Sequence, residues 1–245
     1  LSGAGKHQNT RSPLLEAVDT ISEAGLLVMA GFILGFDGER AGAGERIVAF
    51  VEECAIPLAM VGILQALPNT ALWQRLEREQ RLLRLDPFEE ASLQARFDAG
   101  VQTNLLNFLP TRPMEEIAAE FLEAFEQLYD PATYLARVRR YASRLGRRQG
   151  QRSASLHGVL SQLGHPRAMA GLLTLLWRQG VRRPSRALFW GCLLDTLRHR
   201  PRLLDQVLWM CLLNEHFLEY RALVRDQVEG QLRWSRANPR ALVAA

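Results

Sequence analysis

The hydrophobic positions of the first hundred residues change period along the chain. Leu14, Leu15, Val18 and Ile21 recur at helical spacing. Before them stand Ser12, which can cap, and Pro13 at the first helical position, where a missing N–H is harmless; Gly25 follows as a stop. Residues 26–34, "LLVMAGFIL", are continuously apolar, as expected of a parallel strand covered on both faces. A Gly/Ala-rich loop, "DGERAGAG", leads to a helix at about 45–55 with Ile47, Val48 and Val51 inward. "LAMVGIL" (58–64) reads as a second strand, "QALPNT" as a loop, and Thr70 to Leu83 as a third helix capped by Thr70. The order αβαβα, with short connections, is that of repeated βα units.

Past residue 110 the period is helical. Pro113 opens a helix with Ile117, Phe121, Leu122, Phe125 and Leu128 inward and acids early, where they suit the helix dipole. Asp130-Pro131 ends it and starts another, carrying Tyr134, Val138, Tyr141 and Leu145. "GRRQGQRSAS" (146–155) reads as a linker or surface loop. Three more helices are expected between His165 and Gln231, separated by "RQGVRRPS" and "HRPR", and no strand signal returns. The expected fold class is α/β then all-α, with a βα part over residues 1–100 and a helical part over 101–245. Two βα units cannot close a sheet alone, so strands 26–34 and 58–64 need neighbours. With no Met at position 1, the sequence is expected to start partway through a larger α/β barrel or sheet.

Composition narrows the class without naming a chemistry. Of 245 residues, 48% are hydrophobic and 23% charged, an ordinary globular balance. No stretch reaches the ~20 apolar residues of a membrane span, and Leu1-Ser2-Gly3 has neither part of a secretory signal. Cys54, Cys192 and Cys211 are far apart and lack metal-ligand spacing, which fits buried small hydrophobes in a reducing cytoplasm. The net charge of +4 hides an asymmetry. Residues 1–130 hold 10 basic and 20 acidic side chains, whereas residues 131–194 hold 12 arginines and no Asp or Glu. These arginines are not interleaved with aromatics as a nucleic-acid stacking platform would have them, so no nucleic-acid partner is expected. Two readings stay open for them: a helical face that is solvated or packed on the acidic βα part, and contact with an anionic membrane surface.

Residues 28–39, "VMAGFILGFDGE", pose the sharper question. A second glycine, Gly35, follows Gly31 by four residues, and Asp37 and Glu39 lie just beyond. Either the strand ends in an ordinary turn, or its backbone sits close to a ligand. Several segments in one order answer together: "GKHQNTR" (5–11), "GLLVMAGFILGFDGE" (25–39), "AMVGILQALPNTALWQRLEREQRL" (59–82) and "YDPATYLARV" (129–138). With a looser match over "LFWGCLLDTLRHRPRLL" and "EHF", they resemble the C-terminal half of cobalamin-dependent radical S-adenosylmethionine (SAM) enzymes with a helical C-terminal extension. That family includes the hopanoid C-2 methylase and bacteriochlorophyllide C-methyltransferases.

The resemblance implies the C-terminal part of a partial TIM barrel followed by the extension. It implies that Gly31, Ile33 and Gly35, followed by Phe36, match the Gly-x-Ile-x-Gly-type strand end that packs against the adenine of SAM. "ALPNT" matches the sixth-strand end at Pro68 and Thr70; Asn69 departs from the usual glycine but tolerates the left-handed conformation. The loop "GERAGAG" departs too, which leaves Asp37 and Glu39 read as loop acids, Glu39 solvated. Lys6, Gln8 and Asn9 match a basic-x-Gln-Asn motif with no chemistry attached. The implied cofactors are SAM, a [4Fe–4S] cluster and cobalamin. The C-x-x-x-C-x-x-C cluster motif is absent, so catalytic and metal residues are assigned to none here and the chain taken alone is expected to be inactive. The implied reaction is C-methylation of an unactivated carbon of a polycyclic lipid or tetrapyrrole: a 5′-deoxyadenosyl radical abstracts hydrogen and methylcobalamin delivers the methyl group. A cytoplasmic protein, peripheral at the inner membrane, follows from that reading. The rival is a non-catalytic helical interaction module that binds through its basic face.

Overall fold

The computed structural model describes residues 13–84, 104–146, 166–237 and 243–244. Ser12, Lys6, Gln8, Asn9 and residues 147–155 of the expected linker lie outside the described residues. Helix α1 (Leu14–Glu23) uses Pro13 itself as N-cap and ends before Gly25, whose φ of +83° is the stop that glycine supplies. Strand β1 (Met29–Leu34), helix α2 (Ala43–Cys54), strand β2 (Leu58–Ile63) and helix α3 (Ala71–Arg78) follow in the expected order. β1 and β2 pair, and just past both strands Leu64 N–H donates to the Leu34 carbonyl at 2.8 Å. Their C-terminal ends are therefore adjacent and the pair is parallel, as a helical crossover requires.

Three expectations about this part change. β1 begins at Met29 and not at residue 26, because the Leu26 carbonyl accepts the Tyr141 hydroxyl (3.1 Å) and is not in a ladder. Coverage on both faces does not hold either, since Met29, Gly31 and Ile33 are exposed while Leu34, Val61 and Ile63 are buried. α3 stops at Arg78, five residues short, because Gln80 turns with φ +55° and the chain runs out extended. Leu82 then bridges to Phe108, and β3 (Leu83–Arg84) pairs antiparallel with β4 (Val243–Ala244). Two-residue strands are too short for a period to be legible in sequence. Thr70 does cap α3, its Oγ1 accepting from Trp73 N–H at 3.2 Å, and Asn69 takes φ +64°.

The helical part matches its pattern closely. Among the described residues it has α4 (Met114–Leu128), α5 (Pro131–Arg144), α6 (Pro166–Trp177) continued by a π turn (Arg178–Arg182), α7 (Arg186–His199) and α8 (Leu204–Ala237). Asp130 caps α5, its Oδ2 accepting from Ala132 and Thr133 N–H (3.0 and 3.1 Å), with Pro131 in the first turn.

By packing, the described residues fall into two compact units, each drawing on residues before and after position 100. Of the described residues, one unit takes those up to Ala30, Ala49–Ala59 and those within Leu128–Leu218; the other takes Gly31–Val48, those within Met60–Gln127 and those from Glu219 onward. In the first unit Tyr129 stacks on Phe217 (3.9 Å between centroids), and the Tyr134 hydroxyl donates to the Met210 carbonyl at 3.1 Å. Burial pushes the Tyr134 hydroxyl far above its ordinary pKa, so it stays a neutral donor. Cys54, Cys192 and Cys211 are all buried, as small hydrophobes would be. In the second unit Leu34, Val61, Ile63, Leu76, Leu82, Leu106, Phe108, Ile117 and Phe121 form the core. Each such side chain contributes roughly 1.5–3 kcal/mol of transfer free energy.

Candidate functional site

Two strand ends of the second unit leave an apolar face open. Gly31 and Ile33 lie on the exposed side of β1, and Ile33 is 48% exposed. On β2, Met60 is exposed and Gly62 partly so. A Cβ built on Gly31 or on Gly62 meets no heavy atom within 4 Å among the described residues. Neither glycine is therefore required by packing, and both leave room for a flat group against the backbone. Phe36, two residues past β1, is exposed as well.

Gly35 is a different case. It is buried, has φ +99°, and a Cβ there would stand 3.0 Å from Leu106 Cδ2 and 3.7 Å from Ile117 Cγ2. Its N–H donates to Glu39 Oε2 at 2.8 Å. The fold thus accounts for this glycine through a turn that L-residues resist and a contact that leaves no room.

Asp37 and Glu39 are not loose loop acids. The Asp37 carboxylate pairs with Arg81 (2.7 Å) and Arg75 (2.6 Å), and the Arg81 guanidinium lies over the Phe108 ring at 5.9 Å. The Arg81 hydrogen bond, outweighing burial, holds the Asp37 carboxyl below its ordinary value. Burial pushes the Glu39 carboxyl up, partly offset by the Gly35 N–H. A third acid, Glu120 on α4, accepts from the N–H groups of Gly42 (3.0 Å), Ala43 (3.0 Å) and Gly44 (3.4 Å) at the start of α2. Burial alone would raise Glu120; a charged hydrogen bond from Arg112 and those N–H groups win and lower it. The reason for the departure is that this loop leaves N–H groups without ladder or helix partners, and buried donors must be paired. Glu39 and Glu120 supply the acceptors, and Asp37 supplies the counter-charge for Arg75 and Arg81.

The arginines of residues 131–194 also find partners, in the first unit. Arg137, wholly buried, pairs with Glu52 and donates to the Leu128 carbonyl; its guanidinium lies 5.4 Å from the Tyr134 ring centroid. Arg140 shares Glu52, Arg144 reaches Asp19 (3.3 Å), Arg139 reaches Asp195 (3.0 Å), and Arg178 and Arg183 converge on Glu215 (3.5 and 3.1 Å). Contact with acids of the βα part, Glu52 and Asp19, is thus realised for part of the stretch.

Sequence reading missed Gly62, Met60 and Glu120. The first two had a signal: "MAGFIL" and "MVGIL" both run Met-x-Gly into apolar residues. Glu120 had none, because an acid on an amphipathic helix reads as solvated. Among the described residues no three His, Cys, Asp or Glu side chains are grouped to hold a metal ion. None of the described helices is long and apolar enough to cross a membrane.

Comparison with known proteins adds the following. A family model described as "Domain of unknown function (DUF4070)" matches residues 70–230. The chain is 46% identical over 228 residues to the uncharacterized methyltransferase sll1242 of Synechocystis sp., an alignment covering 93% of this chain and 39% of that protein. It is 32% identical over 195 residues to the hopanoid C-2 methylase of Rhodopseudomonas palustris, covering 78% of this chain and 33% of that protein. The chain therefore spans little more than a third of the length of these relatives. No solved structure matches.

Proposed function

The chain belongs to the DUF4070 family and is related to proteins named as methyltransferases, and from that premise we propose that it is part of a cobalamin-dependent radical SAM C-methyltransferase. The substrate class in this reading is a polycyclic lipid or a tetrapyrrole with an unactivated carbon. The observation that carries it is the open apolar face of β1 and β2, where Gly31 and Gly62 leave space over the backbone. The adenine of SAM would lie over Gly31 and Ile33 with Phe36 at its margin, and Met60 and Gly62 would extend the same wall. Gly35 would act indirectly, by holding the turn that follows β1 through its N–H bond to Glu39.

The open space over Gly31 and Gly62 supports a place for an adenine; no residues of this chain are assigned to the other two cofactors. When bound, SAM supplies the adenosyl and methyl groups of the reaction. This chain's own residues orient the base and exclude water from one of its faces, and hold no proton for the chemistry. Among the described residues no three His, Cys, Asp or Glu side chains are grouped as cluster ligands, and no residue is assigned to cobalamin, so no step is derived through either. The rival reading, an interaction module with a basic face, has less to stand on. Arg137, Arg139, Arg140, Arg144, Arg178 and Arg183 already have acidic partners.

Deleting the encoding gene and comparing lipid and pigment extracts by mass spectrometry tests the proposal. Loss of one C-methylated species, restored by the intact gene but not by a Gly31→Val version, is the expected result. Extracts that do not change would overturn it.

A further inference from the structure

Helices α6 and α7 are apolar on two sides. Their inner sides enter the core of the first unit through Leu175, Phe189, Cys192 and Leu193, all buried. Their outer sides would be polar in a helix that faces water, and they are not. On α6 and its π turn, Met169, Leu173, Trp177 and Val181 recur every four residues and are all exposed, Leu173 at 59% and Trp177 at 58%. On α7, Trp190, Leu194 and Leu197 make a second exposed stripe, with Leu194 at 60%. The stripes meet at Trp190. Its indole N–H donates to the Gly180 carbonyl at 2.9 Å, and its ring stands where a Cβ on Gly180 would go. A continuous apolar surface of this kind marks an interaction site.

Charge selects the occupant. Arg182 next to Val181, Arg186 one turn before Trp190 on the same stripe, and Arg198 next to Leu197 are exposed. From residue 131 to 194 there is no Asp or Glu. Asp195, beside Leu194, is already paired with Arg139 and His199. A second copy docking by a two-fold axis would set these arginines against themselves. Tryptophans between an apolar stripe and arginines suit a bilayer interface: the indoles sit at headgroup depth and the guanidinium groups meet phosphates. We infer that the outer side of α6 and α7 is a docking surface for an anionic lipid bilayer, lying in the headgroup plane with Leu173 and Leu194 at the acyl boundary. The inference does not depend on the methyl-transfer reading, and its test needs no cofactor.

The full-length protein is floated with vesicles of phosphatidylcholine alone and with added phosphatidylglycerol, at low and high salt. Binding to the anionic vesicles, weakened by salt, is expected, as is quenching of tryptophan fluorescence by brominated acyl chains. Arg186→Gln should lower the partition coefficient about fivefold, the effect of one basic residue at such a surface. Leu173→Glu with Leu194→Glu should abolish flotation while circular dichroism and the melting temperature stay unchanged, since both positions are exposed. Trp177→Phe with Trp190→Phe should remove most of the quenching. Failure to float, or flotation that the double glutamate variant leaves intact, overturns the inference. A dimer in light scattering that the same variant dissociates would assign the face to a second copy and overturn it equally.

Discussion

The two compact units lean on opposite charges at their longer-range caps: in the second, carboxylates gather backbone N–H groups, and in the first, guanidinium groups gather backbone carbonyls. Each also has the other kind locally, Asp130 capping α5 in the first and Arg46 and Arg81 taking the carbonyls of Ala41, Arg40 and Leu109 in the second. Glu39 takes the Gly35 N–H, and Glu120 takes those of Gly42, Ala43 and Gly44. Arg137 takes the Leu128 carbonyl at the end of α4, Arg140 and Arg144 take those of Glu52 (3.3 Å) and Glu53 (3.0 Å) in the last turn of α2, and Arg200 takes that of Leu145 after α5. α2 carries both kinds of cap, an acid at its first turn and arginines at its last. The charge asymmetry along the chain is therefore partly a division of capping. The N-termini of α2 and α5 and the β1 turn draw on acids, and the C-termini of α2, α4 and α5 draw on the arginines after residue 131, in keeping with the helix dipole.

Breaking the guanidinium side should have the largest effect. Arg137→Met leaves Glu52 with only Arg140 and the Leu128 carbonyl unpaired. It should cost about 3 kcal/mol in urea unfolding, the low end for a buried pair because Glu52 is partly exposed. A loss below ~1 kcal/mol would remove Arg137 from the comparison.

Breaking the carboxylate side comes next. Glu120→Ala frees three N–H groups at the start of α2 and should cost about 2 kcal/mol. Because Glu120 and Asp37 titrate below their ordinary values, what they contribute is present above those values, 4.5 and 3.8, and is lost as pH falls through the folded ones. Glu120→Gln should accordingly flatten the acid side of the stability profile, measured as the urea midpoint from neutral pH to about 3.

The two glycines of β1 sharpen the contrast between fold and site. Gly35→Ala forces an alanine to φ +99° against Leu106 and should cost about 1–2 kcal/mol. Gly31→Ala projects into open space and should leave stability within ~0.5 kcal/mol, while weakening binding of S-adenosylhomocysteine to the full-length protein in calorimetry. Equal stability losses for the two would erase the distinction.

Glu39 should show the smallest and opposite effect. Its raised value means that its contribution is fullest below the ordinary 4.5 and is lost as pH rises through the folded value. Glu39→Gln keeps an acceptor for Gly35 without the partly buried charge. At pH 7 it should be neutral to slightly stabilising, and a clear loss there would mean that the charge itself holds the turn.

Element order was legible because it rests on local period. The αβαβα run, the Asp130-Pro131 junction and the Thr70 cap each need only neighbouring residues. The site was legible in part. Gly31 and Gly35 look alike in sequence, and only packing separates them, since one faces open space and the other lies against Leu106 and Ile117. Glu39 was misread for a related reason: nothing local says that the Gly35 N–H lacks a ladder partner.

By itself the sequence determined the order of the helices and of β1 and β2, the buried cysteines, and the stretch of twelve arginines without an acid. Tertiary structure decided which charge meets which backbone group, which face of β1 stays open, and that α6 and α7 are apolar outward as well as inward. The physical reason is range. Periodicity and capping act within a turn of helix or a few residues of strand, whereas Glu120 lies 78 residues from Gly42, and Arg137 lies 85 from Glu52. Folding alone brings such partners together.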